Sequence, residues 1–252
     1  DVDRGVRDLE AVSKLDPARH QADLALVALH LRRGERDKAL AAARGLAARQ
    51  PDNPLAHNVL GTVHLARGEQ PAARQSYEHA LQLEPTFLPA ARNLARLDLD
   101  AKRPEDARAR FTRIVARDPG NEGALLSLAE LDAGLGAKPA EVLAMLDRAV
   151  KANPASPRAR MALVNYHLQQ REPRAAAASA KEAAAANPDD ARMVEMLGAT
   201  LLSAGDPQQA AGAFAKLVEL QPEAPGPLVR LAQAQAAAKN HDAAIQSMRR
   251  AV

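Results

Sequence analysis

The 252-residue sequence has no cysteine and no tryptophan, and its aromatics amount to three phenylalanines and two tyrosines. Without cysteine there is no disulfide and no thiol chemistry; this does not choose a compartment, because exported bacterial proteins also do without it. With 2% aromatics there is little on which nucleic-acid bases could stack, and 34 basic residues against 31 acidic ones nearly cancel. A dedicated nucleic-acid surface is therefore not expected. No apolar run approaches the ~20 residues that a membrane-spanning helix needs, and no signal-peptide pattern or lipidation cysteine is present. Catalytic signatures are missing too. Ser13, Ser76, Ser127, Ser156, Ser179, Ser203 and Ser247 are scattered and lack a glycine-rich elbow, and there is no Walker loop, His-Glu-x-x-His or dinucleotide fingerprint. No enzyme, cofactor or metal is expected. With so few rings, the core has to be built from Leu, Ala and Val, with helices packed closely through alanine.

What the chain does have is a period. Pro17, Pro51, Pro85, Pro119, Pro154, Pro188 and Pro222 are spaced 34, 34, 34, 35, 34 and 34 residues apart, each after an acidic or amide residue. Leu26, Leu60, Leu94, Leu163 and Leu197 precede the matching prolines by 25 residues, Leu128 by 26, and Leu231 continues the series. Each leucine is followed by a small or short residue, namely Val27, Gly61, Ala95, Ala129, Val164, Gly198 or Ala232. The stretch Pro54–Phe87 shows one unit whole. A first helix over about Leu55–Arg67 ends at Gly68, which takes the left-handed C-cap conformation cheaply. A second starts near Pro71, where a missing N–H costs nothing, and Pro85 stops it.

A 34-residue period with Leu60, Gly61, Ala73, Tyr77, Ala80 and Pro85 at these places resembles the tetratricopeptide repeat. His57 stands where that pattern has an aromatic early in the first helix. The resemblance implies an all-α, right-handed superhelical α-solenoid of antiparallel helix pairs, making roughly one superhelical turn, in which each unit packs on its neighbours. The array is read as one domain over 1–252, with a partial repeat at 1–19 and repeats at 20–53, 54–87, 88–121, 122–156, 157–190, 191–224 and 225–252. Both ends look cut, as in a fragment of a longer array. The third unit has Arg103-Pro104 at its inner turn instead of glycine, and the fourth carries an extra residue between Gly134 and Pro139. The second helix of the fifth is almost all alanine, with Ala176, Ala180 and Ala183 at core positions. Alanine favours helix but buries little, so either its neighbours approach closely or the stack is softest there.

In arrays of this family the first helices line a concave groove that binds partners. By register, the groove positions are Asn58, Thr62, Arg92, Asn93, Arg96, Arg158, Asn165 and Arg192, with Ser127, Glu130, Glu195, Arg230 and Gln233 beside them. This polar surface, with its excess of arginine, suits an extended protein or peptide segment, or a carboxylate held bidentately. The bland alternative is a set of solvated helix faces. Chaperone-binding members clamp a C-terminal carboxylate with Lys and Asn one turn apart and an Asn on the next helix. The matching positions here are Arg92, Arg96 and Ser127, or Asn58, Thr62 and Asn93, and neither set fits.

His30, His64, Asp98, Asp132 and His167 hold the first-helix position usually occupied by Tyr. His and carboxylate can ligate metals, but successive first helices lie about 10 Å apart. A polar ladder of hydrogen bonds or charge-assisted pairs along the stack is the expected reading.

A narrower resemblance rests on Pro51–Gly61, Phe87–Asp98 and Arg103–Phe111. These stretches are similar to the long repeat lipoproteins encoded with bacterial exosortase and PEP-CTERM sorting systems. That resemblance implies an exported scaffold in exopolysaccharide production or protein sorting. It would be periplasmic or outer-membrane-associated, and held to the membrane by an N-terminal lipid anchor lying outside this sequence. The alternatives are a general cytoplasmic adaptor and a glycan-binding periplasmic scaffold. A glycan site needs an aromatic platform; Tyr77, Phe87, Phe111 and Phe214 fall at core or inter-unit positions, which leaves Tyr166.

Overall fold

The structure, a computed structural model, describes residues 5, 9, 11 and 20–252. Apart from those three residues, the partial repeat expected over 1–19 lies outside the described residues. Among them the fold is an all-α solenoid of antiparallel helix pairs with fourteen helices and no strand. They are α1 (His20–Arg32), α2 (Arg36–Arg49), α3 (Pro54–Ala66), α4 (Gln70–Leu83), α5 (Leu88–Asp100), α6 (Pro104–Arg117) and α7 (Glu122–Gly134), followed by α8 (Pro139–Ala152), α9 (Pro157–Gln169), α10 (Pro173–Ala186), α11 (Ala191–Ser203), α12 (Pro207–Leu220), α13 (Pro225–Ala237) and α14 (His241–Arg250). Two compact units divide the chain between Leu135 and Gly136. That division falls in the turn that carries the extra residue.

The punctuation in the sequence sets the helix ends. Pro51, Pro85, Pro119, Pro154, Pro188 and Pro222 lie in the turns between repeats, and further prolines occupy the first or second position of nine of the described helices, where they cost no hydrogen bond. Side chains cap several starts: Asn53 accepts from the Leu55 N–H, Asn121 from Ala124, Asp190 from Arg192 and Asp206 from Gln209. A single left-handed residue closes the first helix of each pair. Gly34, Gly68, Gly136 and Gly205 fill that place as the pattern predicts, but Lys102 (φ 57°), Arg171 (φ 60°) and Lys239 (φ 64°) fill it elsewhere. The bonds this residue enables are the same with or without glycine: the N–H of Glu69 reaches the His64 carbonyl, and that of Arg103 reaches Asp98, across the same five-residue step.

Within the first unit each helix packs on its chain neighbours, and first helices one repeat apart also touch, α1 on α3 and α5 on α7. In that unit Tyr77 is fully buried under Gly61, where an added Cβ would lie 2.6 Å from the ring. Phe111 fills the corresponding place against α5. In the second unit Phe214 sits against Gly198 in the same way. Around the alanine helix α10 the structure brings Met161, Met193 and Met196 against Ala176, Ala180, Ala183 and Ala184. Unbranched thioether chains fill the irregular space that methyl groups leave.

Candidate functional site

The first-helix face of the first unit begins with side chains that tie repeats together. Asn58 is 9% exposed, and its Oδ1 accepts from Asn93 Nδ2 at 2.9 Å. Arg92 Nε donates to Ser127 Oγ at 3.0 Å, and its terminal nitrogen lies 3.3 Å from the Gly123 carbonyl. Both links run between residues 35 apart, so each joins one repeat to the next. Thr62 Oγ1 donates to the Asn58 carbonyl at 3.0 Å and lies 3.3 Å from the Tyr77 hydroxyl, whose pKa burial pushes up.

Arg96, one turn beyond Arg92 on α5, is different. It is exposed and makes no hydrogen bond or ion pair among the described residues. Beside it α5 and α7 border an open cavity of about 420 Å³. Ala95, Leu99, Leu131 and Leu135 give it apolar walls, Phe111 lies at its back, and Arg92, Arg96, Ser127 and Glu130 form its polar margin. Leu99 and Leu135 remain 41% and 46% exposed. Exposed leucines beside an unpaired guanidinium are what a recognition site offers: a place for an apolar side chain next to a place for an anion.

In the second unit, Arg158 and Asn165 are exposed and without polar partners among the described residues. Arg192 is held by Asp190 at 2.7 and 3.1 Å, and this arginine keeps the carboxyl below its ordinary pKa. Arg230 pairs with Glu195 at 2.7 Å. Tyr166 is 5% exposed, so its ring offers no platform to a sugar.

The polar ladder takes a form the sequence does not announce. The three histidines and Asp98 pair across the turn inside their own repeat, while Asp98 and Asp132 are also reached from the repeat before. His30 Nδ1 meets Glu35 at 2.7 Å, His64 meets Glu69 at 2.6 Å, and His167 meets Glu172 at 2.9 Å. The hydrogen bond from His64, followed by that from Arg67, holds the Glu69 carboxyl below its ordinary pKa. Asp98, fully buried, receives Arg103 and also Arg110 at 3.1 Å and Arg74 at 2.7 Å. Arg108 reaches Asp132 with two donors at 2.7 and 3.1 Å. Arg74–Asp98 and Arg108–Asp132 are both 24 residues apart, so a second helix here grips the first helix that follows. The missed signal was an arginine recurring 24 residues before an aspartate.

Two family models, each described as a tetratricopeptide repeat, match the sequence, one over residues 24–86, 138–191, 161–225 and 196–252 and the other over 64–131. No curated protein matches it. Among solved structures, PilF of Pseudomonas aeruginosa is 20% identical with a TM-score of 0.52, covering 86% of this chain and 96% of its own. A MamA crystal structure is 21% identical with a TM-score of 0.51, over 67% and 90% of the two chains. YrrB, titled a TPR protein with an unusual peptide-binding site, is 17% identical with a TM-score of 0.51, over 71% and 91%. At these identities the structural likenesses show the fold, and the family models cover more than half of the sequence: the chain belongs to the tetratricopeptide repeat family.

Proposed function

We propose that this protein is an interaction scaffold that holds a peptide segment of a partner on the first-helix face of α5 and α7. An apolar side chain enters the cavity between Leu99, Leu131 and Leu135, and a neighbouring carboxylate, from an acidic residue or the chain terminus, meets Arg96. The observation that carries this reading is the unpaired, exposed Arg96 at the edge of an apolar cavity. Arrays of this family are generally protein-interaction scaffolds, and one structural relative is titled for a peptide-binding site. Arg92, fixed by Ser127 and Gly123, lends the site a preformed positive edge, which limits the ordering cost of binding.

The stretches that resemble exosortase-associated lipoproteins support an exported setting, periplasmic or at the outer membrane, as part of a protein-sorting or exopolysaccharide assembly. A cytoplasmic adaptor is the alternative; fractionation of cells making the complete gene product separates the two. The glycan reading loses its candidate platform with the burial of Tyr166.

The test is a peptide-display selection followed by affinity measurement. Selected peptides should carry an apolar residue beside an acidic one or a free C-terminus. Arg96→Ala and Leu99→Gln should each weaken them roughly tenfold, the scale of one charge-assisted bond or one buried apolar side chain. Neither change should move the melting temperature, because neither side chain joins repeats. Binders whose affinity ignores both substitutions would remove the site.

A further inference from the structure

On the second-helix side of the first unit, α4 and α6 border another cavity, of about 660 Å³. It is lined by none of the residues of the α5/α7 cavity. Three arginines of α6 face it, Arg110, Arg113 and Arg117. Arg110 is committed, with its Nε on buried Asp98 at 3.1 Å and a terminal nitrogen 3.9 Å from Glu78. Arg113 and Arg117 are exposed and have no hydrogen bond or ion pair among the described residues. They stand four residues apart on one face of the helix, so the points where the two side chains leave it lie about 6 Å apart along its axis. The rest of the lining is Leu81, Gln82 and Pro85 from α4 and the turn after it, and Ala116 from α6, so apolar atoms flank the two arginines.

We propose that this face docks an acidic peptide in extended conformation, with carboxylates at two alternate positions engaging Arg113 and Arg117. Alternate side chains of an extended segment lie roughly 6.6 Å apart, which matches the spacing of the two arginines. The residue between them has its side chain turned the other way, so the pattern needed is acidic-x-acidic. Leu81, Pro85 and Ala116 take the methylene stems of the two acidic side chains, and Arg pairs bidentately with each carboxylate. Glu78, at the far end of the cavity, repels a third carboxylate there and limits the acidic run to the end bearing Arg113 and Arg117. That carboxylate, together with a lining without aromatic rings, favours a peptide over a nucleic-acid strand, which needs cations along its whole length and rings for its bases. This surface goes beyond the peptide site on α5 and α7 and does not depend on it.

The experiment measures fluorescence anisotropy of a labelled heptapeptide with Glu-Leu-Glu at its centre, titrated with the protein at low and at moderate salt. Binding should weaken roughly tenfold in the Arg113→Ala/Arg117→Ala variant, and by a similar factor when the peptide carries Gln-Leu-Gln. It should also fall as salt rises, since the arginines are exposed. Both arginines lie at the surface, so the variant should keep the circular dichroism spectrum and melting temperature of the parent. Equal affinity of parent and variant would overturn the proposal. So would equal binding of the Gln-Leu-Gln peptide, loss of binding on Arg96→Ala instead, or tighter binding of a single-stranded oligonucleotide of matched charge.

Discussion

In the α3/α4 repeat a glycine faces a tyrosine; in the α9/α10 repeat, at the same two places, a valine faces an alanine. Gly61 and Tyr77 are sixteen residues apart, as are Val164 and Ala180, and all four lie in cores. Two other repeats follow these pairs, Val27 with Ala43 and Gly198 with Phe214, while two more set an alanine against a large residue, Ala95 with Phe111 and Ala129 with Leu146. What persists along the chain is a rough sum of volumes across two helices, not the residue at either place. Cores packed near crystal density demand this, since a surplus on one helix has to be matched by a deficit on the other. The alanine repeat meets the demand incompletely by its own pair, and methionines supply the remainder. Three of the five methionines in the protein, Met161, Met193 and Met196, lie against α10.

The sharpest way to break this comparison is to move one pair into the other repeat. Tyr77→Ala alone should cost roughly 3–5 kcal/mol through the cavity it leaves. Gly61→Val alone should cost about 1–3 kcal/mol or somewhat more, because its first added carbon already falls on the Tyr77 ring. Together they rebuild the Val–Ala pair of the α9/α10 repeat, and the double variant should recover about 2 kcal/mol or more of the summed loss. Denaturant titration of the four proteins gives the coupling. Additive losses would mean that the two places do not share one volume.

The alanine repeat is probed from outside. Met193, with no exposed surface, packs on Ala183 and Ala184. Met193→Ala should cost about 2–3 kcal/mol, at the low end for a buried methionine, because the flexible chains of Met161 and Met196 can move into part of the space. Met193→Leu should cost under about 1.5 kcal/mol. A loss from Met193→Ala as large as that from Tyr77→Ala would show the alanine core to be as rigidly filled as the aromatic one.

The repeat, its register and most helix ends were legible in the sequence because they depend on local chemistry: prolines every 34 residues, small residues after the leucines, caps at the turns. The placement of Tyr77, Phe111 and Phe214 in cores and the burial of Ala176, Ala180 and Ala183 followed from helical spacing alone. The candidate face was less legible. Arg92, Asn93 and Asn58 belong to it by register, but whether such side chains point to a ligand or to the next repeat depends on how two helices 35 residues apart align, and one helix does not encode that. Hence Arg96 has no polar partner among the described residues while Arg92, one turn earlier, is engaged by Ser127. The same limit hid the arginine grips on Asp98 and Asp132, which need a second helix and the following first helix in place together.

The smallest expected effect concerns the turns inside the same two repeats. The α3/α4 turn places Gly68 at φ 81°, whereas the α9/α10 turn places Arg171 at φ 60°. For a residue with a Cβ this conformation costs roughly 1–2 kcal/mol. Glycine escapes that strain but gives the unfolded chain more freedom to lose, worth about 0.4–1 kcal/mol against it. The Arg171 side chain is exposed and makes no polar contact among the described residues, so it contributes nothing to offset the strain. The difference favours Arg171→Gly by about 0.5–1 kcal/mol, and Gly68→Arg should lose about as much. Both are read from denaturant midpoints at unchanged slope. A destabilised Arg171→Gly would mean that the backbone bond from Glu172 to His167, with the His167–Glu172 pair beneath it, already holds the turn so firmly that local strain no longer decides its stability.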